Sequence, residues 1–275
     1  MVSGFHLPPT GFGPGSQPAD DELGYMQMPS DMRTYAAHLP EIGDTDAAAP
    51  ALALLERVAA ACERAAATGE GESFQLGDLP PEARDLLTET LGQGEVSVRI
   101  QGVPAVAVQE SVFAGVWRVM GAGVDRVEVG AVPARAKIAF APQRAALGLD
   151  APKGLDVFNA PALLVELLDR SAAWRKGKDP HVVNLTLLPH TEGDLAWLDA
   201  ALGEGAVTVL SRGYGNCRIT ATATSNVWRV QYFNSMDTLI LDTFEVTDMP
   251  EVVLAAPEDL ADSAGRIREV LEAIR

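Results

Sequence analysis

"LGEGAVTV" at residues 202–209 restates "LGQGEVSV" at residues 91–98, and the two octapeptides stand 111 positions apart. The same offset lays "VWRV" at 116–119 on "VWRV" at 227–230 without a gap. It also pairs Pro50 with Pro161, Leu52 with Leu163, Arg64 with Arg175, Leu76 with Leu187, Leu87 with Leu198 and Gly102 with Gly213. One offset held over so many positions marks two related units. The sequence therefore divides into an extended arm (1–49), a first unit (50–132), a linker (133–160) and a second unit (161–275). The repeated part of the second unit ends near 255.

Each unit has the same pattern. In the second, Asn159 stands at an N-cap position and Pro161 falls in the first turn. Leu163, Leu164, Leu167 and Leu168 then form an apolar stripe that ends near Gly177. A short apolar strand, "HVVNLTLL" at 181–188, and a helix around "EGDLAWLDAAL" follow. Four alternating segments come next, "GAVTVLSR", "CRITATA", "NVWRVQYF" and "DTLILDTFEV", separated by turn residues. Consecutive short segments favour antiparallel pairing, so the expected class is α+β. The expected architecture is a tandem duplication, each half with helices packed on a mostly antiparallel sheet, plus a C-terminal helix. In that final helix Leu260, Ala264, Ile267, Val270, Leu271 and Ile274 share one face, expected to pack on the sheet. The linker is rich in proline and small residues, as suits a segment that wraps one half.

The chain of 275 residues carries 21 basic and 38 acidic residues, a net charge of −17. Phosphate neutralisation needs clustered Lys and Arg, so nucleic acid is not an expected partner. No stretch approaches the ~20 apolar residues of a membrane helix, and the N-terminus lacks a basic segment followed by an apolar run. The two cysteines, Cys62 and Cys217, form no CxxC motif, which fits a reducing compartment. The expected location is the cytoplasm. The arm holds six of the 18 prolines and seven acids against one arginine. Its "YMQMPSDMRTY", 25–35, is a docking segment for a partner or for its own domain, with docking on the rest of the chain the favoured expectation.

The motifs of catalysis and cofactor binding are absent. "GFGPG" at 11–15 has no strand before it and no helix after it, and there is no P-loop, GxSxG or HExxH. His6, His38, His181 and His190 stand alone, without a second metal ligand at a suitable spacing. His190 and Asp194 have helical spacing, which suits an acid/base pair or, more commonly, a helix start. Cys62 falls on the apolar face of the first helix, and its repeat mate is Ala173. No catalytic residue, cofactor or metal site is expected, and the chain reads as a non-enzyme.

The halves differ most at one hairpin. "SRGYGNCRI" at 211–219 answers the plain "IQGVPAVAV" at 100–108. Arg212, Gly213, Tyr214, Gly215, Asn216 and Arg218, with Tyr232 and Phe233 from the adjoining "WRVQYFN", form the candidate partner-binding group, since Arg and Tyr are favoured at interfaces. Trp228 is expected in the core because Trp117 repeats it. Cys217 has Val106 as its mate, so packing is favoured over reactivity, although Arg212 and Arg218 would lower its pKa if they lay close.

"GFGPGSQP", "LGQGEVSVRI", "VNLTLLPHTEGDL", "LGEGAVTVLSRGYGNCRI", "VWRVQYFNSMDTLILDT" and "PEVVLAAPEDLADSAGRI" together resemble the hydrogenase expression/formation proteins of the HupH, HyaF and HoxQ type. The resemblance covers nearly the whole chain. It implies an accessory maturation chaperone for an uptake nickel–iron hydrogenase, with the iron–sulfur small-subunit precursor as partner before export. A thioredoxin-like accessory protein of the same operons is the further partner it implies. The Gly213–Gly215 core of the hairpin matches the family pattern. The alternative within the same pathway is an iron–sulfur or metal carrier dependent on Cys217, which would need ligands from elsewhere because stable clusters usually take four.

Overall fold

The computed structural model describes residues 45–213 and 216–274. The segment 25–35, Tyr214 and Gly215 lie outside the described residues.

The two octapeptides lead into the strands at the centre of the fold. β2 (Val96–Ile100) and β7 (Val207–Ser211) run side by side and antiparallel, with Val98 opposite Val209. Those valines are repeat mates. Ser97 faces Leu210 and Arg99 faces Thr208, the register that a two-fold axis through the Val98–Val209 pair produces. On one side of the seam come β3 (Val106–Glu110), β4 (Val116–Gly121), β5 (Val124–Val129) and β1 (Glu72–Gln75). On the other come β8 (Asn216–Ala221), β9 (Val227–Phe233), β10 (Leu239–Val246) and β6 (His181–Asn184). The ten strands make one antiparallel sheet with the same order read outward from its centre in both directions. The halves depart from each other at the β9–β10 turn. Val129 and Val246 hold like places, opposite Val116 and Val227, yet lie 117 positions apart rather than 111, so the second turn is six residues longer.

Strand alternation sorts the side chains between two faces. On one face Val119, Val108, Val98, Val209, Ile219 and Val230 line up across six strands, all buried. Each contributes about 1.5–3 kcal/mol by leaving water. Trp117 and Trp228 lie on this face, fully buried, and their indole nitrogens donate to Gly130 O and Thr247 O at 2.8 and 3.2 Å. The core expectation for both tryptophans holds. The linker lies over this face: Ala139 is buried, Phe140 meets Trp228 edge-on at 5.2 Å, and Ala206 N donates to Ala139 O.

Helices cover the outer parts of the other face. α1 (Thr45–Thr68) and α2 (Pro81–Leu91) bury Leu55, Val58 and Leu87 against Phe74, Val127 and Val129. α3 (Ala160–Ala173) and α4 (Glu192–Leu202) bury Leu164, Leu167 and Leu198 against Val183, Phe244 and Val246. The last helix, α5 (Pro257–Ile274), shows the expected buried stripe, but its largest interface is with α1. α1 presents apolar side chains on two sides, and the second of them takes α5. Ser263 and Arg266 of α5 also donate to Ala114 O and Val112 O in the first half.

Two local details differ from expectation. The strand at 181–188 stops at Asn184 and continues as a 3-10 turn over Leu185–Leu187. Asn159 does not cap α3, and its side chain donates to Pro189 O instead. The cap comes from Asp194, whose Oδ1 accepts from Phe158, Asn159 and Ala160 N at 2.8, 2.9 and 3.0 Å. Its Oδ2 accepts from Thr191 N, and the Thr191 hydroxyl accepts from Asp194 N, which closes a capping box on α4. One buried carboxylate thus caps two helices. His190 turns away to Leu188 O, so the pair at helical spacing is a helix start and not an acid/base couple.

Candidate functional site

The β7–β8 hairpin extends beyond the start of β2, where Arg212 N donates to Glu95 O at 3.2 Å. At Gly213 a Cβ would meet only the carboxylate end of the exposed Glu95 side chain, which can swing aside, so this contact does not by itself demand glycine. Arg212 is exposed, and Asn216 donates from Nδ2 to Asp237 Oδ1 at 3.3 Å, which ties the hairpin to the longer β9–β10 turn.

Alternation along β8 separates the two residues that invited a reactive-thiol reading. Cys217 points into the covered face opposite Tyr232, whereas Arg218 points out of the other face with its guanidinium 5.6 Å from the Phe233 ring centre. Burial pushes the Cys217 thiol up to about 11, against a hydrogen bond with Tyr232 that pulls it down and the Glu245 charge that adds to the rise. A thiol held up in this way is mostly protonated at neutral pH, which lowers its nucleophilicity. Cys62 is likewise buried and pushed up to about 12, first by burial and then by Glu63. Among the described residues no three His, Cys, Asp or Glu side chains come together as metal ligands, and no helix is long and apolar enough to cross a membrane.

The candidate group is therefore split. Arg212, Asn216, Arg218 and Phe233 gather with Leu210 around a cavity of about 430 Å³. Tyr232 lies on the opposite face, beside Glu245 and Val182.

That small cavity shares Leu210 and Arg218 with a groove of about 870 Å³ over the middle of the sheet, where helices leave the face bare. α2 forms one wall through Thr88 and Glu89. The floor crosses both halves: Arg118, Gln109, Ser97, Leu210 and Arg218 form one row, and Met120, Ala107, Arg99 and Thr208 the next. Arg118 is held by Asp125, while Arg99 and Arg218 have no carboxylate partner among the described residues. Sequence reasoning passed over Arg99, Arg118, Leu210 and Met120. Their outward parity was readable within each strand, but the β2–β7 pairing that makes one floor of them was not.

The family described as "HupH hydrogenase expression protein, C-terminal conserved region" matches residues 48–142 and 157–274. The chain belongs to the HupH hydrogenase expression protein family. The first matched segment contains β1 to β5 and the second β6 to β10, so the family's conserved region falls on each half in turn. Among relatives, the hydrogenase expression/formation protein HupH of Rhodobacter capsulatus is 66% identical over the full length of both chains. The hydrogenase expression/formation protein HoxQ of Cupriavidus necator is 46% identical over 98% of each chain. The hydrogenase-1 operon protein HyaF of Escherichia coli is 33% identical, over 98% of this chain and 95% of its own.

Proposed function

We propose that this chain is an accessory protein of hydrogenase maturation. It acts as a cytoplasmic chaperone on the iron–sulfur small-subunit precursor of an uptake nickel–iron hydrogenase before export, with a thioredoxin-like accessory protein beside it. The observation that carries the reading is the 66% identity, end to end, with a hydrogenase expression/formation protein. A protein that holds its client without chemistry needs an accessible surface and no activated group. The open central groove and the buried, protonated Cys217 support that description and weigh against the Cys217-dependent carrier. The shared strand order and the 111-residue offset support descent of the halves from one duplicated unit.

The test is co-purification. Tagged full-length chain, co-expressed with the small-subunit precursor under limited oxygen, is expected to recover it, and Arg212→Ala or Tyr214→Ala to recover less. Absence of the precursor from the wild-type eluate counts against the chaperone reading.

A further inference from the structure

Among the described residues, helices and linker cover both faces of the sheet except at the seam, where an exposed floor spans β4, β3, β2, β7 and β8. Four inter-strand spacings make this floor about 19 Å long, the reach of roughly six residues of extended chain. Its outward side chains at Ser97, Ala107 and Thr208 are short, which keeps the middle low. Two large apolar side chains stand in it half-exposed, Leu210 at 44% and Met120 at 42%.

The charges are the unusual part. In a chain of net charge −17 the floor holds three arginines and no carboxylate, and the acids Glu89 and Glu204 lie in the walls. Asp125 engages Arg118, but Arg99 and Arg218 keep their guanidinium groups free of any acid among the described residues. They stand two strands apart and two residues out of register, about 12 Å between Cα atoms. In an extended chain, side chains four residues apart point the same way and span about 13 Å. Carboxylates at positions i and i+4 therefore match the two arginines, an apolar residue at i+2 between them meets Leu210 on β7, and Met120 on β4 lies beyond the Arg99 end. A guanidinium fork favours carboxylate geometry over a point charge.

We propose that the central groove binds an acidic, extended segment of a partner protein, with carboxylates seated on Arg99 and Arg218. The proposal rests on the chaperone reading for the partner's identity but not for the site. The net charge of −17 disfavours non-specific binding of an acidic peptide to the rest of the chain, and the arginine variant shows how much of the measured binding belongs to the groove.

A fluorescein-labelled peptide of repeating Glu-Ser-Val-Ser, which sets Glu at i and i+4 and Val at i+2 on one face of an extended chain, titrated with the full chain and followed by anisotropy, is expected to bind. The Arg99→Glu/Arg218→Glu variant is expected to raise Kd at least tenfold, while binding of the matching Lys-Ser-Val-Ser peptide does not weaken. Both arginines are exposed, and a thermal melt confirms folding; Arg99→Gln/Arg218→Gln serves if the charge reversal unfolds the chain. Failure of the acidic peptide to bind, or equal affinity in the variant, overturns the proposal. So does a change of oligomeric state in the variant, which would assign the groove to a second copy. Recovery of the small-subunit precursor by wild type and variant alike refutes the groove and spares the chaperone reading. Peptide binding without precursor recovery by the wild type does the reverse.

Discussion

Replacing Asp194 by alanine removes the side-chain cap of α3 and the carboxylate half of the capping box on α4, where the Thr191 hydroxyl still accepts from the backbone N of residue 194. Its four acceptor contacts serve the first turns of α3 and α4, which begin 32 residues apart in sequence and hold the second half's helix layer. Loss of an N-cap costs about 0.5–2 kcal/mol, so the α3 cap together with half of the α4 capping box places the expected loss near ~2–3 kcal/mol. At roughly 2–4 °C per kcal/mol for a chain of this size, the melting temperature should fall by about 5–10 °C. Alanine does not disturb the helix itself, because Ala83 holds the matching position of α2, which has no side-chain cap. The loss also has a pH signature. Burial opposes ionisation of Asp194, but the backbone N–H groups of Ala160, Thr191, Phe158 and Asn159 outweigh it and hold the carboxyl down at about 2. A depressed carboxylate stabilises fully above its unfolded pKa, near 4, and the contribution disappears as pH falls through the folded value. Melts of wild type and Asp194→Ala should therefore differ by a constant amount above pH 4 and converge toward pH 2. A difference below about 0.5 kcal/mol at pH 7, or one independent of pH down to 2, refutes the double-cap reasoning.

Glu110 gives the opposite dependence. Burial first, then Glu95 and Asp259, push its carboxyl up to about 7 against hydrogen bonds from the backbone N–H groups of Gly115 and Val96. A raised carboxylate favours the fold below its unfolded pKa and costs stability as pH rises through 7, so Glu110→Gln should match wild type at pH 4 and exceed it at pH 8.5 by up to about 3 kcal/mol in urea unfolding. Equal midpoints at both pH values would show that Glu110 is solvated. Cys217→Val imports the mate residue Val106 and should cost less than about 1.5 kcal/mol. Precursor recovery and the iron content of anaerobically purified protein should stay at wild-type levels, whereas iron present in wild type and lost in this variant would restore the carrier reading.

The strands from β7 to β10 and helix α4 were legible because alternation, turn residues and the repeat offset all agreed on them. Cys217 was legible too, through Val106. The seam was not: each half-sheet ends in a strand whose partner lies more than a hundred residues away, and no local pattern names it. The same limit explains α5, which follows the second half in sequence but found its apolar complement on α1 of the first. Tyr232 grouped with the hairpin by composition, but the register that sets it opposite Cys217 turns it away from Arg218 and Phe233. Asp194 was legible as a helix start, yet its second helix is reached only through the fold.

The axis through Val98 and Val209 makes the sheet resemble a symmetric dimer written as one polypeptide. A true two-fold dimer must show every residue twice, so a peptide lying across its axis meets identical surroundings in either direction. Here the positions 111 residues apart differ, with Arg99 answered by Leu210 and Arg218 by Ala107. The groove consequently has a head and a tail. An extended segment of fixed sequence has one preferred direction across it, and the two ends of that segment emerge on chemically different sides, the plain hairpin at one and the arginine-bearing hairpin at the other.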